Sequence, residues 1–321
     1  MRAMQVTAYD QPLQLQELEI PVPGPGEVLV KVETCGLNFG DLLLIKGTYQ
    51  EKPALPFTLG MELAGTVTAL GAGVDGLETG QRIAAYSGFH GLADYAVVPA
   101  DICVAIPDEM NAVDAAAFLI AYGTSHVALD YKARLQPGER LLVLGASGGV
   151  GLTAVELGKL MGAEVIACAR GQAKLDICRA AGADHLIDSE VDDIREIVKA
   201  LGGADVVYDP IGGDQFKAAM RACNPEARLL PLGFASGEVP QIPANIVMVK
   251  NLNVLGLFWG GYKKFKPKVL TDSFRALIDW YVAGKLKPHV SHVLPLEQAN
   301  EALELLRSRK ATGKVVVRVS D

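Results

Sequence analysis

The chain has 321 residues, of which 50% are hydrophobic and 21% charged, with a net charge of -7. That length predicts two domains, the composition excludes global disorder, and an acidic chain without a basic run gives no footprint for a nucleic-acid partner. Residues 1–14 are polar with no apolar signal-peptide core, and the uncharged stretch 115–129 is too short and too polar to span a bilayer, so a soluble cytoplasmic protein with no membrane partner is expected.

Residues 1 to about 118 are rich in Gly, Pro and β-branched side chains. Segments 28–32 and 65–69 lie between turn signals such as Pro23-Gly24-Pro25-Gly26 and read as short strands of a mostly β domain. A helix is predicted over 113–131, entered by Asn111 or Asp114 as its cap. The rhythm then changes. Leu141-Leu142-Val143-Leu144 is a continuous apolar run, as in a parallel strand buried on both faces. Val150, Ala154, Leu157 and Met161 follow at helical spacing. Segment 165–167 is a second strand and 173–181 a second helix. Further strands are expected at 205–208 and 228–232, with a helix over 214–222 between them. Alternating strands and helices predict an α/β fold with a doubly wound parallel sheet. Amphipathic helices at 274–283 and 296–307 precede a terminal strand at 314–319. That strand is expected to pack with the N-terminal β region, which makes the α/β unit an insertion. The domains are then 1–120 plus 259–321, and 121–258.

Gly145-Ala146-Ser147-Gly148-Gly149-Val150-Gly151 lies between the buried strand and its helix, the setting a dinucleotide-binding turn requires. Backbone N–H groups must reach a pyrophosphate at the positive end of the helix. Gly148 would let the backbone approach the phosphates, and Gly151 would let helix and strand pack closely. Ser147, Gly148, Gly149, Val150 and Gly151 are therefore cofactor-binding candidates. Ala146 stands at the first fingerprint glycine. The alternative is a purely structural glycine turn.

An NAD-binding chain usually places an acid about 20 residues further on, for the ribose hydroxyls. Here that place holds Cys168-Ala169-Arg170, followed by Lys174. Arg170 and Lys174 would attract the 2′-phosphate that an acid would repel, so NADPH is the expected cofactor. Two solvated surface cations are the alternative.

Together these motifs resemble the zinc-independent NADPH:quinone oxidoreductase family of the medium-chain dehydrogenase/reductase superfamily. The resemblance extends through Gly36-Leu37-Asn38-Phe39-Gly40-Asp41, Gly47-Thr48-Tyr49, Pro56 to Gly65, Asp209 to Gly213 and Gly233 to Gly237. It implies a GroES-like catalytic domain around a Rossmann insertion, an active site in the cleft between them, and a homodimer joined through a Rossmann edge strand, here 253–258. It also implies that Asn38 and Thr124 touch the nicotinamide half, and that Phe234, Ser236, Phe258 and Trp259 lie near the nicotinamide and its ribose. Lys310 falls where a family Arg contacts the adenine-end phosphate. Ser189 replaces a tyrosine that borders the 2′-phosphate in some relatives, and Arg170 replaces a small residue.

In zinc-dependent cousins Cys and His stand where this chain has Asn38 and Met61, and neither replacement suits zinc. The five cysteines, Cys35, Cys103, Cys168, Cys178 and Cys223, are scattered and never form C-x-x-C, so no thiolate knuckle is expected. His289 and His292 read as a satisfied pair rather than as ligands, and no metal is expected. Without a Lewis acid, hydride transfer favours a small electrophile that is already conjugated, such as a quinone or an enone. The resemblance makes Tyr49 either the proton donor for an enolate or a wall of the acceptor pocket. Asp41 reads as an anchor for backbone N–H groups after Asn38. Rival functions are a double-bond reductase of 2-alkenals or enoyl thioesters, with Lys263, Lys264, Lys266 and Lys268 as a basic channel or a solvated loop, and a non-catalytic crystallin-like or sensor protein that binds NADPH.

Overall fold

The computed structural model describes residues 1–320. They form two compact units, Met1–Ile120 with 278 onward, and Ala121–Leu277.

The first unit is mostly β. Strands β1 (Arg2–Val6), β2 (Gln14–Glu17) and β4 (Phe57–Thr58) form a small antiparallel sheet. The larger sheet is organised on β3 (Glu27–Leu37), which pairs antiparallel with both β5 (Glu62–Leu70) and β7 (Tyr95–Pro99). β6 (Arg82–Tyr86) and β8 (Cys103–Ala105) extend it on the β5 side. In β3 the side chains of Val28, Leu29, Val30 and Val32 are buried while Lys31 is exposed, and residues 34–37 are buried in succession, so the strand lies in the middle of the sheet with little solvent on either face. Two helices follow here, α1 (Phe39–Ile45) and α2 (Ala112–Ala116).

The second unit is a Rossmann-like sheet. Its strands are β9 (Arg140–Leu144), β10 (Glu164–Ala169), β11 (His185–Asp188), β12 (Ala204–Asp209), β13 (Cys223–Pro231) and β14 (Asn253–Val254). Their order is β11-β10-β9-β12-β13-β14, and every pair is parallel. All four residues 141–144 of β9 are fully buried, as their uninterrupted apolar run requires. Helices α3 (Leu119–His126), α4 (Gly149–Leu160), α5 (Gln172–Ala180), α6 (Ile194–Ala200), α7 (Gly213–Ala222), α8 (Ala244–Lys250), α9 (Tyr262–Phe265) and α10 (Pro267–Val282) complete the middle of the chain. The strand order reverses between β9 and β12, the place where parallel sheets open a crevice for ligands beyond their carboxyl ends.

After α10 the chain adds β15 (Val290–Pro295), α11 (Ala299–Arg307) and β16 (Lys314–Arg318) to the first unit. β16 pairs antiparallel with β3, Val316 opposite Gly36, so the terminal strand joins the N-terminal β region and the Rossmann unit is an insertion.

Three elements differ from expectation. The single helix over 113–131 is divided into α2, α3 and a π-helical segment, Val127–Lys132. At the first break the Ala117 N–H is shared between the Val113 and Asp114 carbonyls, which tightens the turn, and Phe118 is buried edge-on against Tyr281. Periodicity does not register such a break. The edge strand over 253–258 is reduced to Asn253–Val254, with one further bond from Leu255 N–H to Leu229. The second unit also runs to Leu277 rather than ending at 258. Trp259 packs edge-on against Phe274, and Tyr262 edge-on against Tyr131, which holds the extra segment there. Among the described residues no helix is long and apolar enough to cross a membrane.

Candidate cofactor and active site

The glycine turn connects β9 to α4. Gly145 has φ +58°, and a Cβ there would meet Ile211 at 2.6 Å. A Cβ on Gly151 would stand 2.2 Å from the Gly145 carbonyl oxygen, so this glycine lets helix and strand approach. Gly148 differs. Its φ of -81° suits any residue, and a Cβ would meet only the Gly145 oxygen, at 3.4 Å. Protein packing therefore does not demand a glycine at 148. Gly148 is the N-cap of α4 and supplies no side-chain cap, so the first-turn N–H groups of Gly149, Val150 and Gly151 lack intrahelical partners. Ser147 is buried, whereas Gly148, Gly149 and Val150 are half-buried. An uncapped helix start with a side-chain-free approach fits a dinucleotide pyrophosphate.

The loop stands on buried hydroxyls that the sequence reading missed. Ser125 Oγ lies 2.8 Å from both Thr153 Oγ1 and Tyr208 Oη, and it donates to the Val150 carbonyl at 3.0 Å. The cluster ties α3, which carries half-buried Thr124, to α4 and β12. Burial pushes the Tyr208 phenol far up, so it remains a neutral hydrogen-bonding group. Beside Thr124, a Cβ on Gly123 would meet the Trp259 ring at 2.8 Å.

Arg170 follows β10 at the same end of the sheet and is 52% exposed on its side chain. Its guanidinium pairs with Glu190 at 3.3 Å. Asp188, which ends β11 beside Ala169, accepts the N–H groups of Gly171 and Glu190, and those bonds hold its carboxyl below the usual range. Ser189 is half-buried with its N–H on the Ala169 carbonyl, and Lys174 is half-buried on α5. Acids therefore do stand beside Arg170, contributed by the next strand. Only the register of β10 on β11 reveals them.

The loops after β12 and β13 meet. Buried Asp209 accepts the N–H groups of Ile211 and Gly212, and burial pushes its carboxyl up to about 6 against those bonds. A Cβ on Gly212 would lie 3.3 Å from Phe234, and one on Gly213 would lie 3.0 Å from Ser236 Oγ. Phe234, Ser236 and Phe258 are exposed, while Trp259 is buried.

In the first unit, Asn38 caps α1 and joins a buried polar cluster. Lys314 Nζ donates to the Leu37 carbonyl at 2.8 Å, to Asn38 Oδ1 at 2.7 Å and to Glu62 Oε1 at 2.7 Å. Glu62 Oε1 also accepts Asn38 Nδ2, and Glu62 Oε2 accepts the Ile120 N–H. Neither Lys314 nor Glu62 was singled out from the sequence. They lie 252 positions apart. Asp41 Oδ2 accepts the Asn38 N–H at 2.8 Å, the anchoring expected of it. Burial pushes the Asp41 carboxyl up to about 7, opposed by the Asn38 N–H and by Lys314.

Tyr49 is half-buried. Burial pushes its phenol up to about 12, while the hydrogen bond it shares with Tyr86 acts in the other direction. In that bond between the two phenols either hydroxyl can be the donor. Tyr86 was also missed.

Met61 is buried, and a Cβ on Gly40 would meet its sulfur at 2.6 Å. Asn38 has its amide engaged as above. A thioether and a carboxamide do not match the thiolate and imidazole that zinc takes. Among the described residues no group of three or more His, Cys, Asp or Glu side chains is arranged to hold a metal. His289 Nε2 bonds Thr312, and His292 Nδ1 bonds Ser291. Lys310 is exposed just beyond α11. Of the lysines at 263–268, Lys266 donates to Tyr131 and Lys268 pairs with Asp272.

Known proteins resemble this chain along most of its length. Residues 24–108 match the family described as alcohol dehydrogenase GroES-like domain, and residues 149–280 match zinc-binding dehydrogenase. The quinone oxidoreductase-like protein 2 homolog of Nematostella vectensis is 41% identical over 300 residues, covering 92% of this chain and 82% of its own length. Quinone oxidoreductase-like protein 2 of Mus musculus is 37% identical over 320 residues, covering 98% and 91%. The Escherichia coli quinone oxidoreductase complexed with NADPH superposes with a TM-score of 0.94 at 27% identity, covering 99% of this chain and 100% of that one. The Thermus thermophilus quinone oxidoreductase, solved also with NADPH, gives 0.88 at 31%, with the same coverage.

Proposed function

The chain belongs to the quinone oxidoreductase family of the medium-chain dehydrogenase/reductase superfamily, and on that premise we propose that it reduces a conjugated small-molecule electrophile, a quinone foremost, with NADPH and without zinc. The observation that carries this reading is the glycine turn, where Gly148 leaves open a place that protein packing does not need, at the reversal of strand order.

NADPH supplies a hydride when bound. On the protein's side, Gly148, Gly149, Val150 and Gly151 offer N–H groups and the positive helix end to the pyrophosphate, with Ser147 beside them. Arg170 and Lys174 hold the 2′-phosphate, with Ser189 at its border, and Lys310 serves the adenine end. Asn38, Thr124, Phe234, Ser236, Phe258 and Trp259 orient the nicotinamide half. With Asn38 and Met61 at the former metal-ligand positions, no Lewis acid polarises a simple carbonyl, which favours acceptors that spread charge by conjugation. Positioning then supplies most of the rate.

Tyr49 favours a second acceptor class. Its raised phenol stays protonated at neutral pH, so it is our candidate to protonate the enolate left by hydride addition to an enone or enoyl thioester. Anaerobic NADPH oxidation with a small quinone, a 2-alkenal and a short enoyl thioester separates the classes. Fast turnover on the quinone supports the first reading. Turnover confined to the alkenal or thioester supports a double-bond reductase, and tight NADPH binding without any turnover supports a non-catalytic binding protein. The exposed sheet edge at β14, next to exposed Met248 and Val249, supports a homodimer through 253–258, which sedimentation tests.

A further inference from the structure

Asn38 has little hydrogen-bonding capacity left. A primary amide has two N–H donors and two lone pairs on its oxygen. One Nδ2 proton reaches the Gly36 carbonyl at 3.2 Å and the other reaches Glu62 Oε1 at 2.9 Å. One Oδ1 lone pair takes the Lys314 ammonium at 2.7 Å. Lys314 and Glu62 are 4% and 1% exposed, and Lys314 has an acceptor for each of its three protons. The cluster also fixes which way the amide points. Flipped, its NH₂ would face the ammonium, and its oxygen would face a carboxylate and a carbonyl. Gly36 is part of the lock, because a Cβ there would stand 1.9 Å from the Ala116 carbonyl oxygen and 3.0 Å from Glu62 Oε1.

We propose that Lys314 is a positioning residue that holds Asn38 as a pure acceptor, offering one Oδ1 lone pair to an N–H of the nicotinamide carboxamide. This rests on the reading above that Asn38 meets the nicotinamide half of NADPH. Asn38 then recognises a donor on the cofactor and does not stabilise a developing oxyanion on the substrate. Lys314 acts through Asn38, and its charge is balanced by Glu62, so the lock adds no net charge near the cofactor.

The test uses reduced 3-acetylpyridine adenine dinucleotide phosphate, in which an acetyl group replaces the carboxamide and removes its N–H. The readout is the ratio of kcat/KM for NADPH to that for this analogue, with a quinone as acceptor. Asn38→Ala is expected to lower the ratio about tenfold, the size of one good hydrogen bond. Lys314→Met with Glu62→Gln, which leaves no unpaired buried charge, is expected to lower it by a similar factor, and Lys314→Arg to recover most of it. A merely structural lysine would change both cofactors alike and leave the ratio at the wild-type value. If the double variant does not fold, Asn38→Asp decides. It keeps an acceptor oxygen and its Lys314 partner, so the ratio must stay near the wild-type value, and a ratio as low as that of Asn38→Ala overturns the lock. A ratio lowered by Asn38→Ala but not by the Lys314 variants overturns the positioning role. A ratio unmoved by Asn38→Ala overturns the contact itself. Wild-type protein that neither binds nor oxidises NADPH overturns the functional reading instead, and binding is measured first for that reason.

Discussion

Gly151 faces Gly145 so closely that a methyl group at 151 would stand 2.2 Å from the Gly145 carbonyl oxygen and 2.9 Å from Ala146 Cα. Both contacts are backbone, so no side chain can turn aside. Gly151→Ala should destabilise the protein by about 1–3 kcal/mol in urea unfolding. Gly148→Ala should cost at most about 1 kcal/mol, because its backbone angles are ordinary and its space is open. It should nonetheless weaken NADPH binding at least about tenfold, since the methyl enters the phosphate approach. Equal binding by Gly148→Ala and wild type would show that the turn is structural only.

Asp41 sets a pH dependence. Burial raises its carboxyl to about 7 in the folded chain, against about 3.9 when unfolded. The folded state therefore keeps a proton that the unfolded state releases. The resulting stability is fully present below about pH 4 and is lost as pH rises through about 7, roughly 4 kcal/mol across that window. Asp41→Asn removes the titration. Its unfolding free energy should rise relative to wild type as pH increases from 4 to 7, and parallel curves would contradict this.

The Arg170–Glu190 pair should temper cofactor choice. Glu190 holds the guanidinium at 3.3 Å and adds a negative charge where the 2′-phosphate is proposed to bind. An exposed pair of this kind is worth about 0.2–1 kcal/mol. Glu190→Gln should therefore tighten NADPH binding by about two- to fivefold and leave NADH almost unchanged. Arg170→Ala should lower the NADPH-over-NADH preference by at least about tenfold. Fluorescence titration with both cofactors measures each effect, and identical preferences in all three proteins would remove Arg170 from the site.

Tyr49→Phe removes the phenol proton proposed for the enolate. Turnover of a saturating 2-alkenal should fall about 100-fold. Quinone turnover should fall much less, because a hydroquinone anion is a weaker base than an enolate. Equal kcat on the alkenal would make Tyr49 a pocket wall.

These residues differ in how far the sequence exposes them. The turn from Gly145 to Gly151 was readable because a tight turn, a phosphate approach and a close helix each restrict residue type at fixed spacing. Strands β9, β10 and β12 were readable from continuous apolar runs, since burial on both faces removes alternation. Lys314 and Glu62 were not, because their partnership exists only once β16 lies beside β3 and β3 beside β5. Glu190 emerged from the β10–β11 register, and Ser125, Thr153 and Tyr208 from three separate elements. The apolar run 253–258 overstated its strand, because hydrophobicity at an edge reports exposure to a partner as readily as pairing.

The most direct test of the account is anaerobic NADPH oxidation with 1,4-benzoquinone, before and after removal of divalent metals by a chelator, with NADH as control. The account predicts turnover that is unchanged by the chelator and at least about tenfold slower with NADH. Absence of NADPH turnover, or activity that is lost on chelation and restored by zinc, would contradict it.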